Sequence, residues 1–153
     1  MSAPVLDAAR KLLRQLGILR ERAPDLVSFW SRAEQVTVPA GTALIHEGKP
    51  GDALLFVVDG SVSVSIRRED GTSLTVARLP APLILGATGA VDGGLRTSTC
   101  TVDAPTTVLR MRRGVFTDAA RQVSPGAELM RELLLINMHR QLAAATRRLQ
   151  DVM

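Results

Sequence analysis

The sequence predicts one mainly β domain of sandwich or barrel type, flanked by helices. Three observations predict it. Apolar residues alternate with polar ones, in the manner of strands, through much of residues 36–111. Glycines punctuate the same stretch at Gly41, Gly48, Gly51, Gly60 and Gly71. Before and after it, apolar residues recur at helical spacing. With 153 residues and 46% hydrophobic content, the chain has material for one core and no second domain. Aromatics supply only 3% of it, so Val, Leu, Ile and Ala must fill that core, which suits packed strands.

In chain order, residues 4–16 carry Val5, Ala9, Leu12 and Leu16 on one helical face, with Leu6 and Leu13 beside them and Gly17 as the stop. A second short helix over residues 24–33 buries Leu26, Phe29 and Trp30. Residues 54–58 read as a strand buried on both faces. Val62, Val64 and Ile66 alternate with Ser61, Ser63 and Ser65, which gives a strand with one wet face. The segment Arg68, Glu69, Asp70, Gly71 turns that strand into the next, over residues 74–79, because Asp-Gly accepts the positive φ of a tight hairpin. Strands follow at residues 98–102 and 106–111, then a short helix around residues 116–123. A long helix starts at Ser124 as N-cap, with Pro125 in its first position and Glu128 in its first turn, and runs to about Gln150. Leu135, Met138, Leu142, Ala145, Leu149 and Val152 follow one another by three and four along it, a heptad seam that calls for a partner helix or for cover by the chain's own roll.

Composition narrows the function. No apolar stretch approaches the roughly 20 residues needed to cross a bilayer, and Arg10, Lys11 and Arg14 interrupt any signal-like segment. The expectation is a cytoplasmic protein with no membrane partner. Cys100 stands alone and reads as a free core thiol. His46, His139 and Cys100 are too few to build a metal site, so no metal is expected. Glu69 and Asp70 sit at a hairpin tip, and nothing resembles a nucleophile elbow or triad, so no catalytic residue and no enzyme are predicted. The net charge of +4 is carried mainly by dispersed arginines. It favours anions, but without interleaved aromatics or a helix-turn-helix pattern no DNA partner is expected.

The most informative stretch is residues 85–99, LGATGAVDGGLRTST. A helical turn opening after Gly86 would direct free backbone N–H groups at an anion, and Arg96 would clamp the same anion with a forked pair. A phosphate suits that arrangement; so, for the stretch taken alone, does an ordinary glycine-rich surface turn.

Several pieces occur in a telling order: VPAGTALIHEGKPGDALLFVVDGSVSV, the hairpin EDG, LGATGAVDGGLRTST, then helices. Over residues 36–150 this order resembles the cyclic nucleotide-binding domain of catabolite activator protein and protein kinase regulatory subunits. The resemblance implies a double-stranded β-helix (jelly-roll) with a long C-terminal helix. It divides the chain into a helical lead (1–35), a β-roll (36–112) with a phosphate-binding cassette (85–99), and C-terminal helices (113–153). It implies that Gly86, Ala87, Thr88 and Arg96 hold a cyclic phosphate, and that Thr97 contacts phosphate or guanine. Val64 and Val76 would line the base or ribose, or serve the core alone. Asn137, Gln141 and Thr146 are candidates for a contact to the base. The sequence departs from the family at Ala87, where a glutamate normally accepts the ribose 2′-hydroxyl. Losing a hydrogen bond to a charged acceptor weakens binding by about 1.5–3 kcal/mol, or roughly ten- to hundredfold.

Two functions follow. One is a non-catalytic cAMP or cGMP sensor, homodimeric through residues 127–152, that signals through its C-terminal helix to an unknown downstream protein, the chain ending where the family's transcription factors continue into a DNA-binding domain. The other is a degenerate fold that has lost the nucleotide and serves as an interaction or dimerisation module.

Overall fold

The computed structural model describes residues 3–152; Met1, Ser2 and Met153, which the predicted flanking segments include, lie outside them. The elements run α1 (Ala3–Gln15), a 3-10 turn (Arg20–Arg22), α2 (Ala23–Trp30), β1 (Glu34–Val38), β2 (Ala43–Ile45), β3 (Ala53–Val57), β4 (Ser61–Arg67), β5 (Ser73–Pro80), β6 (Leu83–Leu85), α3 (Ala87–Asp92), β7 (Thr99–Val102), β8 (Thr106–Arg112), α4 (Arg113–Ala120) and α5 (Pro125–Val152). The strands form two antiparallel four-stranded sheets, ordered β1-β8-β3-β6 and β2-β7-β4-β5. This is the expected jelly-roll with its long C-terminal helix.

Side-chain alternation explains why β3 needs a continuous apolar run. Strand β3 has both edges paired, to β8 and β6, and both faces covered, by the helices on one side and the other sheet on the other. Leu54 and Phe56 point to a core shared with the helices, while Leu55 and Val57 point to a second core between the sheets. Strand β8 divides likewise, with Leu109 and Met111 towards the helices and Val108 between the sheets. On the helical side, the Trp30 ring meets Phe56 edge-on at 5.5 Å, and Phe29 meets Phe116 at 6.4 Å. Helices α2 and α5 cross so closely that a Cβ on Gly126 would lie 2.7 Å from the Asp25 carbonyl.

The β4–β5 hairpin closes as the Asp-Gly pair predicts, with Gly71 at φ +86° and its N–H donating to the Arg68 carbonyl at 3.0 Å. Helix α5 starts as predicted: the Ser124 hydroxyl accepts the Ala127 N–H at 3.1 Å. Its first half is buried through Leu129, Met130, Leu133 and Leu134. Its second half leaves the roll, so that Leu135, Leu142, Leu149 and Val152 are 70%, 68%, 61% and 81% exposed. The chain's own roll leaves these residues of the heptad seam uncovered. The short preceding helix lies at Arg113–Ala120, a few residues earlier than its apolar spacing suggested. Strands β2 and β6, three residues each, are too short to show a period. Among the described residues, no helix is long and apolar enough to cross a membrane.

Candidate functional site

A cavity of about 470 Å³ opens between the inner face of the β2-β7-β4-β5 sheet, the loop around α3, and α5. That volume suits a small organic ligand. Ile45, Val64, Leu79, Ile84, Leu85 and Cys100 make its apolar wall. Opposite them lie Gly86, Ala87, Thr88 and Gly89 at the start of α3 and the segment from Gly94 to Ser98, while Asn137 and Gln141 reach it from α5. These two amides stand four residues apart, on one helical face.

Arg96 is placed by its backbone. The segment carrying it zips onto the loop before β3: the Gly51 N–H donates to the Gly94 carbonyl (2.9 Å), the Arg96 N–H to the Lys49 carbonyl (2.7 Å) and the Gly48 N–H to the Arg96 carbonyl (2.8 Å). Its side chain then runs beneath α3. Nη1 donates to the Gly86 carbonyl at 3.0 Å and Nη2 to the Ala53 carbonyl at 2.7 Å. Two glycines make that path possible, since a Cβ on Gly86 or Gly89 would lie 2.7 Å or 2.8 Å from Nη1. Gly86 is also the left-handed residue, φ +83°, from which α3 springs. The guanidinium makes no ion pair among the described residues. Two of its five N–H donors have these carbonyl partners. The first N–H groups of α3, on Ala87, Thr88 and Gly89, belong to residues of the same wall and have no partner within the helix.

Six of the seven residues expected at the site from the sequence line this cavity: Val64, Gly86, Ala87, Thr88, Arg96 and Thr97. Val76 does not, and that expectation is corrected. It is 51% exposed and sits at a bulge, because Val64 faces Ala77 while Ser65 faces Thr75. Val76 is the extra residue of that bulge, which shifts the alternation of β5 and leaves this side chain off the inner face. Of the candidate base contacts, Asn137 and Gln141 reach the cavity and Thr146 does not; its hydroxyl donates to the Leu142 carbonyl at 2.9 Å.

Sequence reasoning singled out none of the wall residues Ile45, Leu79, Ile84 and Cys100 for the site, and it placed Leu85 and the carboxylate Asp92 within the cassette without giving them a role. Pairing would have found Leu79, which stands opposite Val62, and Cys100, which stands opposite Val64. Asp92 is the one carboxylate on the lining, and its Oδ1 accepts the Gly94 N–H at 2.7 Å. Burial pushes the Cys100 thiol pKa up, against smaller opposing effects of Ser98 and the Arg96 charge. At position 87 the cavity wall carries only a methyl group, on a residue 7% exposed.

Known proteins match this chain in sequence and in fold. The family model described as a cyclic nucleotide-binding domain covers residues 35–123. A CRP-like cAMP-activated global transcriptional regulator of Mycobacterium tuberculosis is 26% identical over 144 residues, which span 93% of this chain and 62% of that protein. The chain thus spans less than two thirds of that regulator's length. Among solved structures, the catabolite activator protein of Thermus thermophilus superposes with a TM-score of 0.73 at 22% identity, covering 84% of this chain and 59% of that one. A cyclic nucleotide-binding domain from Methylobacillus flagellatus does so with 0.64 at 24% identity, covering 97% and 78%. Both likenesses are of fold.

Proposed function

This chain belongs to the cyclic nucleotide-binding domain family, and from that premise we propose that its cavity binds cAMP or cGMP and that α5 carries the signal. Arg96 carries the reading: an arginine without an acidic partner, fixed on the cavity wall beside the opening amides of α3. The cyclic phosphate takes the remaining donors of the fork and the Ala87 and Thr88 amides. Base and ribose lie on Val64, Leu79 and Ile84. The Thr97 hydroxyl serves phosphate or guanine and admits cGMP. Asn137 and Gln141 each offer a donor and an acceptor to the base, so occupancy biases the position of α5. The uncovered seam at Leu135, Leu142 and Leu149 pairs with a second copy, within residues 127–152, and passes the change to a protein partner. Binding is the whole chemistry in this reading: the lining offers amides, hydroxyls, one guanidinium, a single carboxylate and the buried Cys100 thiol, whose pKa burial raises.

Ala87 favours a second reading, a nucleotide-free interaction module. Without an acceptor for the ribose hydroxyl, affinity falls by roughly ten- to hundredfold relative to a carboxylate-bearing site. Calorimetric titration with both cyclic nucleotides, on the wild type and on Ala87→Glu, separates the two. Binding by the wild type that tightens in Ala87→Glu supports the sensor. Silence of both proteins at millimolar nucleotide leaves the module.

A further inference from the structure

We propose that Arg113 is a positioning residue that links the phosphate-binding helix α3 to α4, so that events at Arg96 reach the helical side of the molecule through it. The inference rests on the sensor reading for its purpose, but the contacts that carry it need no ligand.

Helix α3 is bracketed by two arginines. Arg96 lies against its N-terminal end, at Gly86 and Gly89. Arg113 lies against its C-terminal end. There Gly93 closes α3 at φ +71°, and a Cβ on it would stand 2.9 Å from Arg113 Cζ and 3.1 Å from both terminal nitrogens. The Arg113 Nε–H donates to the Ala90 carbonyl at 3.3 Å, which puts a cation where the helix dipole is negative. Arg113 is at the same time the first residue of α4.

Both arginines are anchored at neighbouring points of the sheet. Arg96 Nη2 donates to the Ala53 carbonyl at 2.7 Å, and the Arg113 backbone N–H donates to the Asp52 carbonyl at 2.8 Å. The contacts close a ring: Gly86 to Arg96, Arg96 to Ala53, Asp52 to Arg113, and Arg113 back to Ala90 on the helix that Gly86 begins. A phosphate that draws on the Arg96 fork competes with the Gly86 and Ala53 carbonyls. The resulting shift of α3 is delivered to the first residue of α4, because the Ala90 carbonyl and the Gly93 backbone rest on that residue's guanidinium. Beyond α4 the path reaches α5, where Arg131 Nη1 donates to the Ala120 carbonyl at 2.6 Å.

The test is amide hydrogen exchange of the full chain, resolved by peptide, in six proteins: wild type, Arg96→Lys, Arg113→Gln, Arg113→Lys, and each of the two Arg113 variants combined with Arg96→Lys. A lysine at 96 keeps the charge but reaches one carbonyl only, which loosens the ring without ligand. The expected result is severalfold faster exchange at both α3 and α4 in Arg96→Lys relative to wild type. In the Arg113→Gln background the same change speeds α3 alone. Arg113→Lys, which keeps a cation and a donor, restores the increment at α4. The proposal is overturned if Arg96→Lys leaves α4 unchanged, or if its increment at α4 is the same with glutamine at 113, as direct packing of α3 on α4 would give. A second arm adds cAMP to the wild type and Arg113→Gln. Affinities within about threefold, with slowed α4 exchange in the wild type alone, agree with the link, whereas equal slowing in both overturns it. Where cAMP binds neither protein, cGMP takes its place in this arm; absence of binding by both nucleotides sinks the sensor reading, and the Arg96→Lys comparison then decides the link alone.

Discussion

Replacing Arg96 with alanine should destabilise the protein even with no nucleotide present, because the guanidinium does structural work in the empty cavity. Two of its N–H groups hold the Gly86 and Ala53 carbonyls at 3.0 and 2.7 Å. Hydrogen bonds to a charged donor contribute about 1.5–3 kcal/mol each. Water entering the cavity can re-satisfy part of what alanine exposes, which brings the two together to about 2–3 kcal/mol. For a chain of this length each kcal/mol moves Tm by about 2–4 °C, so Arg96→Ala should melt about 4–12 °C below the wild type. Arg96→Lys should fall between, since an ammonium on a flexible stem reaches one carbonyl. Differential scanning calorimetry without ligand measures both. A Tm for Arg96→Ala within about 1 °C of the wild type would refute the argument, because the side chain would then be held only by solvent.

Three other outcomes follow from the same geometry. Gly126→Ala should lower Tm: a methyl 2.7 Å from the Asp25 carbonyl and 3.2 Å from Phe29 Cβ overpacks the α2–α5 crossing by about 1–3 kcal/mol, more than the gain of up to about 1 kcal/mol in helix propensity. Cys100 should react slowly with iodoacetamide at neutral pH, being buried with its pKa raised, and nucleotide at 100 times its dissociation constant should slow labelling through opening about a further hundredfold, as read by intact-mass spectrometry. The Asp103 carboxylate accepts the Ser61 and Ser63 hydroxyls at 2.6 Å each, which holds its pKa below the ordinary 3.8. Its contribution is therefore present above about pH 3.8 and lost as pH falls through the lower folded value; acid titrations of Tm should show a shallower acid limb for Asp103→Asn than for the wild type.

Much of this fold was legible because local and global patterns agree. The unbroken apolar run of β3 reflects burial on both faces, the serine alternation of β4 reflects a sheet with one wet face, and the Asp-Gly pair closes the hairpin between β4 and β5. Ser124 and Pro125 mark the start of α5 without tertiary information. The cassette was legible through the order of its glycines and Arg96. The resemblance misplaced Val76 because a bulge changes the parity of β5, and nothing in the local sequence SLTVARLP announces one. The wall at Ile45 and Ile84 comes from strands of three residues, too short for any period to show. The embedding of Arg96 under α3 was not legible at all. It depends on Gly51 lying against Gly89, where a Cβ on the former would collide with the Cα of the latter, a contact between segments far apart in sequence.

The most direct test of the nucleotide reading is a heteronuclear NMR titration of the uniformly 15N-labelled chain with cAMP and with cGMP, following backbone amides together with the arginine Nε–H signals. The account predicts saturable shifts of the Ala87 and Thr88 amides and of Arg96 Nε, accompanied by the Asn137 and Gln141 side-chain amides. Shifts confined to another face, or an Arg96 signal that stays in place while nucleotide saturates the protein, would contradict it.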